Sequence, residues 1–274
     1  MQYDPIKRVL GRFFNQSPTL RIFFYKLLDL LLLRSWHIRK ELSAWTRTQG
    51  GRPLAMLDAG SGFGQYSYSL ASVNGNVSVT GVDVKSEQIA DCNDFFAKIG
   101  LADRVHFEEA DLTKFVRADQ FDLVLSVDVM EHILDDEAVF ANFFKSMKPG
   151  AILLISTPSD QGGSDADEHD HDGNPHGFID EHVRDGYNIN DIQDKLRRAG
   201  FSDVQARYSY GTPGHISWIL SMKWPILALG LSKAFFLLLP FYYVVVFPFC
   251  LILNALDLFC NHKSGTGLIV KAVK

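Results

Sequence analysis

Cysteine is scarce in this sequence: Cys92, Cys250 and Cys260 are the three among 274 residues, and none stands at a metal-ligand spacing. No disulfide framework is readable, which fits a reducing compartment. The pattern of a secretory leader is missing as well. The first apolar run begins near Leu20, lies among Arg21, Lys26 and Asp29, and has no small-residue cleavage site after it. Apolar residues are not lacking, at 47% of the chain, and the net charge is −5, but both are unevenly spread. Residues 1–52 hold ten Lys and Arg against three Asp and Glu, so the rest of the chain is about twelve charges acidic. A basic, apolar start on an acidic body points to an anionic surface met by one end, for which membrane headgroups are the natural candidate. The cations alternate with Leu and Phe instead of forming a dense patch, which argues against nucleic acid as a partner.

The length allows one large domain or two small ones. Residues 17–46 read as one or two helices, opened by Ser17-Pro18 as N-cap and first helical position. Leu20–Leu33 is apolar almost all round, which suits either a helix buried under the main domain or one lying in an interface. From Pro53 to about Ser159, short β-branched runs alternate with helical stretches. Strands are expected at Ala55–Asp58, Val77–Asp83, Val105–Glu109, Leu123–Val127 and Ile152–Thr157, with Lys148-Pro149-Gly150 as the turn into the last of these. Helices are expected at Tyr66–Val73, Ser86–Ile99 and Asp136–Met147. That rhythm predicts an α/β fold: a doubly wound, mostly parallel sheet covered on both faces. Residues 158–177 read as a polar loop, Asn188–Ala199 as a helix, Val204–Tyr210 as a strand and Gly267–Val273 as the final strand.

One loop carries the chemistry. Asp58-Ala59-Gly60-Ser61-Gly62-Phe63-Gly64 ends the first strand with an acid, then places glycines at alternate positions before a helix. Such a loop brings backbone N–H groups close to a ligand, and glycine lets the ligand approach. Dinucleotide loops prefer G-x-G-x-x-G, and the sixth position counted from Gly60 is Gln65. The pattern resembles the first motif of the class I S-adenosylmethionine-dependent methyltransferases, and later landmarks follow in order. Asp83 ends the second strand, Asp111-Leu112 follows the third, Phe121-Asp122-Leu123-Val124 leads to Glu131-His132, and Lys148-Pro149-Gly150 precedes the fifth. The resemblance covers roughly Leu54–Ala206 plus the last strand. It implies a Rossmann-like seven-stranded sheet over 53–274, with S-adenosyl-L-methionine as cofactor. The cofactor would lie against Asp58, Gly60, Ser61, Gly62, Gly64, Asp83, Val84, Asp111, Leu112 and Val127. Asp83 would meet the ribose hydroxyls, since a carboxylate accepts two hydrogen bonds at once, and Asp111-Leu112 the adenine.

The acceptor side should lie at the carboxyl ends of the fourth and fifth strands, where Asp128, Glu131 and His132 stand as catalytic candidates. If the segment after Val127 is helical, these three share a face and could hold a divalent cation. The set resembles the metal-assisted O-methyltransferases of ubiquinone biosynthesis, with Asp128 where that group usually has Glu. Glu168, Asp170 and Asp172 with Gly173 begin like a calcium loop, but Ile179 stands where its bidentate carboxylate is required. Residues 158–177 are therefore expected to be a solvated lid, with His176, His182 and Arg184 as substrate contacts.

The insertion over residues 216–260 is overwhelmingly apolar. A chain that rejoins its own sheet must cross a bilayer twice or not at all, and Lys223, Pro240 and Pro248 make two full spans awkward. The expectation is a monotopic hairpin dipping into one leaflet, anchored by Trp218, Trp224, Tyr242 and Tyr243, or a dimer interface. Three functions stay open. One is methyl transfer, expected at oxygen, to a hydrophobic membrane-resident molecule: a prenylated quinol, a sterol- or carotenoid-like lipid, or a lipid headgroup. The second is methylation of a membrane protein partner, and the third a non-catalytic nucleotide-binding scaffold. The expected location is cytoplasmic, on the inner face of a membrane.

Overall fold

The computed structural model describes residues 17–162 and 183–274. Two helices come first, α1 (Pro18–Leu31) and α2 (Leu33–Thr48). The Ser17 side chain caps α1 by accepting from the Leu20 N–H, and Pro18 takes a position whose N–H would have no helical partner. Strands and helices then alternate: β1 (Leu54–Ala59), α3 (Gln65–Ala71), β2 (Val77–Asp83), α4 (Ser86–Lys98) and β3 (Val105–Glu109). They continue as β4 (Phe121–Val127), α5 (Asp136–Ser146), β5 (Met147–Pro158), α6 (Ile189–Arg198) and β6 (Ser202–Ser209), with β7 (Gly267–Val273) last.

The sheet order is β3-β2-β1-β4-β5-β7-β6. The strands β1 to β5 pair in parallel, and β7 runs antiparallel to both its neighbours. Every residue of β4 is buried, as expected of a central strand covered on both faces. Alternate residues of β1 serve two cores. Leu54 and Met56 join Tyr25, Trp45, Phe95 and Phe96, while Leu57 and Ala59 join Phe140, Phe143 and Leu196. The N-terminal helices thus cover one face, and α5 with α6 the other. Strand order reverses between β1 and β4, and it is outside the carboxyl ends at such a switch point that sheets of this kind offer a crevice to a ligand. The strand β5 starts earlier than expected, because Met147 pairs with Phe121 ahead of a register shift. Lys148-Pro149-Gly150 is therefore inside the strand and not a turn before it.

Between β6 and β7 the chain forms α7 (Thr212–Trp218), a π turn (Ile219–Lys223), α8 (Trp224–Leu231), a 3-10 turn (Lys233–Leu237) and α9 (Leu239–Phe259). The arms form a hairpin: the Tyr242 hydroxyl donates to the Leu220 carbonyl at 2.6 Å and the Tyr243 hydroxyl to the Ser221 carbonyl at 2.7 Å. Ser209 pairs with Gly267, and Gly267 with Pro158. The hairpin therefore leaves and rejoins the sheet at the end where the crevice opens. By length and composition α9 could cross a membrane, with a mean hydropathy of 2.0 over its apolar window, of which 11% is buried.

Candidate active site

The glycine loop joins β1 to α3. Gly60 sits at φ +80°, and a Cβ there would lie 2.2 Å from a Val129 methyl, so glycine is required by both conformation and space. The Gly60 and Ser61 N–H groups donate to the Val82 carbonyl at 2.8 and 2.9 Å, which ties the loop to β2. Asp58, almost fully buried, accepts from the Ser67 hydroxyl at 2.5 Å and so fixes the start of α3. Burial pushes its carboxyl up to about 6. At the end of β2, one Asp83 oxygen accepts from the Gly62 N–H at 2.9 Å and the other from the Lys85 N–H at 3.0 Å. Asp111, just past β3, is turned onto the Thr113 N–H and hydroxyl, and those hydrogen bonds hold its carboxyl below the ordinary range. Leu112 and Val127 are buried, and Val84 is 63% exposed.

Two observations test whether this loop fits the implied cofactor. The Ser61 hydroxyl is buried with no hydrogen-bond partner. Above Gly62 an added Cβ would meet nothing within 4 Å, so open space faces the backbone. A polar ligand on the loop would satisfy the first and fill the second.

Helix α1 clamps this loop from outside. Arg21, 3% exposed, donates to the Phe63 carbonyl at 2.8 Å and pairs with Asp91 at 2.6 Å. The Tyr25 hydroxyl donates to the same carbonyl, and Gln65 donates to Asp29 at 2.8 Å. The buried side of α1 therefore carries Arg21, Tyr25 and Asp29, while Phe23 and Leu30 are exposed. The expectation of a helix packed under the main domain holds for the buried side.

On the acceptor side the expected three-residue helical face does not form. Asp128 has φ +52°, in the left-handed region, and the 3-10 turn begins only at Met130 (Met130–His132). Its carboxylate turns to Arg34 of α2, at 2.6 Å. Glu131 is buried, accepts from the Thr157 hydroxyl at 3.1 Å, and is pushed up to about 8 by burial and by the Asp128 charge. His132 is half-buried on the same turn. No group of three or more His, Cys, Asp or Glu side chains is placed to hold a metal ion among the described residues. The Asp128, Glu131 and His132 metal set is corrected accordingly: the left-handed backbone at Asp128 breaks the shared helical face, and its carboxylate pairs with Arg34.

Arg184 is also engaged otherwise than expected. It pairs with Asp136 and donates to the Tyr187 hydroxyl at 2.6 Å and the Ile133 carbonyl at 2.7 Å. It therefore fastens the segment before α6 to the turn after β4. His176 and His182 lie outside the described residues.

Residues the sequence did not single out complete the acceptor side. The Tyr210 hydroxyl, just past β6, accepts from the Arg34 N–H at 3.1 Å. Tyr66 of α3 lies 3.2 Å from the Ser35 hydroxyl, and its own hydroxyl is pushed up by burial. Tyr210 also donates its N–H to Asp257 of α9, at 3.2 Å, so the foot of the hairpin borders the crevice. The signal that could have found Arg34 is a lone cation directly after the apolar run Leu30–Leu33.

The family described as "Methyltransferase domain" matches residues 52–199. Phosphoethanolamine N-methyltransferase 1 of Arabidopsis thaliana is 34% identical over 166 residues, covering 55% of this chain and 29% of that protein. The chain thus spans less than a third of the length of this relative. The 27-O-demethylrifamycin SV methyltransferase of Amycolatopsis mediterranei (strain S699) is 32% identical over 101 residues, covering 36% of this chain and 37% of that one. Among solved structures, Haemonchus contortus phosphoethanolamine N-methyltransferase 2 in complex with S-adenosyl-L-methionine superposes with a TM-score of 0.55 at 23% identity. That match covers 81% of this chain and 49% of the other, and it speaks for the fold.

Proposed function

The chain belongs to the class I S-adenosylmethionine-dependent methyltransferases, and from that membership we propose that it methylates a lipid-like acceptor held at a membrane surface. The observation that carries the proposal is where the apolar hairpin leaves the sheet. Pro158, Gly267 and Ser209 align across β5, β7 and β6 at the sheet end where β1 and β4 finish, so the exposed apolar hairpin rises from the end that carries the glycine loop. An acceptor drawn from a bilayer would reach the methyl donor without passing through water. Exposed apolar area of this extent marks an interaction surface.

S-adenosyl-L-methionine, when bound, supplies a sulfonium methyl group that needs positioning more than covalent help. The chain's own residues would do the rest. Backbone N–H groups and Ser61 would line the donor, Asp83 would accept from the ribose diol, and α1 holds the loop from behind. His132, half-buried on the turn after β4, would take a proton from a hydroxyl or ammonium acceptor. Arg34 offsets the charge of Asp128 beside it. The phosphoethanolamine N-methyltransferase relatives favour a nitrogen in a lipid headgroup or its precursor as one target. The rifamycin relative keeps oxygen in view.

Calorimetric titration tests the donor half. Micromolar binding of S-adenosylmethionine and of its demethylated product is expected, and absence of both would sink the enzyme reading. For the acceptor, turnover with dispersed lipid extract and mass spectrometry of the product should place the new methyl on a lipid. Methyl transfer confined to membrane protein would instead favour the protein-methyltransferase reading.

A further inference from the structure

The N-terminal helices and the foot of α9 border an open hollow of about 530 Å³. Lys26, Arg39 and Lys40 line it, with Leu30, Trp36 and Leu258 as its apolar wall. Its acidic member, Asp29, is turned aside: Gln65 donates to one oxygen at 2.8 Å and Arg39 to the other at 2.5 Å. Lys40 is fixed over the last turn of α9, donating to the Leu258 carbonyl at 2.7 Å with its ammonium 5.2 Å from the Phe259 ring centre. The cavity therefore carries net positive charge in a chain whose total is −5.

What surrounds it decides the ligand class. Phe23 and Leu30 on α1 and Leu256 and Phe259 on α9 are all exposed, and the apolar stripe of α9 continues through Ile252 and Phe249. A cationic hollow at the edge of exposed apolar surface matches a molecule with an anionic head and hydrocarbon tails. A free phosphate would leave the apolar rim uncovered, and an acidic peptide would leave the α9 stripe exposed. The volume suits a phosphodiester headgroup.

We propose that Lys26, Arg39 and Lys40 form a binding site for the phosphodiester of an anionic lipid, whose acyl chains lie along α9. The site is separate from the crevice and orients the crevice toward the bilayer. It rests on the membrane reading above. Cosedimentation of the full chain with vesicles tests it, using phosphatidylcholine alone against phosphatidylcholine containing phosphatidylglycerol. The wild type is expected to prefer the anionic vesicles. Lys26→Gln with Lys40→Gln should weaken that preference about fivefold per charge removed. Arg47→Gln, on the exposed side of the same α2 but outside the cavity, should weaken it less. Equal loss in Arg47→Gln would mean diffuse charge attraction and overturn the site. Equal binding of the wild type to both vesicles would also overturn it while leaving membrane association intact. Absence of binding to either would instead overturn the membrane reading. A titration with micelle-free dihexanoyl phosphatidylglycerol, read by Trp36 fluorescence against Trp36→Phe, then addresses the cavity directly: saturation upholds the site and no change rejects it.

Discussion

β4 and α9 are both dominated by apolar side chains, and the protein treats them in opposite ways. Phe121 to Val127 are buried without exception, with Asp122 held by Arg52 and Lys148 at the entry. In α9 the buried residues are Cys250, Asn254 and Asp257, while Phe241, Val244, Val245, Phe249 and Ile252 face outward. Helix α1 repeats the second pattern, with Arg21 and Asp29 inside and Phe23 outside. Burial of apolar surface holds the sheet together, at about 25 cal/mol per Å². The hairpin is fastened by a buried polar cluster. Arg207 donates to His37 Nδ1 at 3.0 Å, which leaves the Nε2–H to donate to Asp257, also at 3.0 Å. His262 lies 3.1 Å from the other Asp257 oxygen, and the Gly214 N–H donates to that oxygen at 3.1 Å. Polar groups turned inward and apolar groups outward are what the proposed membrane contact would need.

The contrast makes ordered predictions. Replacing Asp257 by Ala strips a buried cluster of its acceptor and should cost about 3–5 kcal/mol, read by denaturant unfolding. Glu131 gives the next effect, through pH. Its folded pKa, raised to about 8, exceeds the ordinary carboxylate value, so the folded state retains a proton that the unfolded state has lost. Stability should therefore fall as pH rises between roughly 4.5 and 8, and Asp58, raised to about 6, adds to the same slope at its lower end. Glu131→Gln should flatten the slope, removing on the order of a few kcal/mol of the stability change summed across that range, measured by melting at successive pH values. A slope unchanged by the substitution would mean Glu131 ionises normally.

Gly60→Val should weaken S-adenosylmethionine binding about 100-fold or more by calorimetry, since a side chain at φ +80° meets Val129. It should leave vesicle binding alone, because Gly60 makes none of the exposed apolar or cationic surface to which that binding is assigned. Asp83→Asn should reduce cofactor affinity by about tenfold through weaker acceptance from the ribose and from Gly62. The smallest effect on stability is expected where the residue is largest. Phe249→Ser, at a side chain 62% exposed, should shift unfolding by no more than about 0.5 kcal/mol, yet lower vesicle binding. A Phe249→Ser protein that unfolds readily would show that α9 is covered by a partner surface and would break the comparison.

The sheet half was legible because its signals are local. Val77–Asp83, Val105–Glu109 and Gly267–Val273 have the expected bounds, since β-branched runs between glycines and acids leave little choice of boundary. The alternate glycines located the donor loop for the same reason. The acceptor side depends on contacts across the fold. Arg34 reaches Asp128 only when α2 is docked, and nothing near Asp128 in sequence announces φ +52°. Arg21 and Asp29 look like interruptions of an apolar helix until Phe63, Asp91, Gln65 and Arg39 supply their partners. The metal set failed because the assumption of a helix after Val127 was wrong by two residues.

The most direct test joins the two regions. The full chain is incubated with S-adenosylmethionine labelled on its methyl group and with membrane lipid extract, and the products are partitioned between chloroform and water. Label carried into the organic phase on a defined lipid, and reduced when Phe241, Val245 and Phe249 are replaced by Ser, is the predicted result. Label found only on a water-soluble acceptor, at a rate those replacements do not change, would contradict the account.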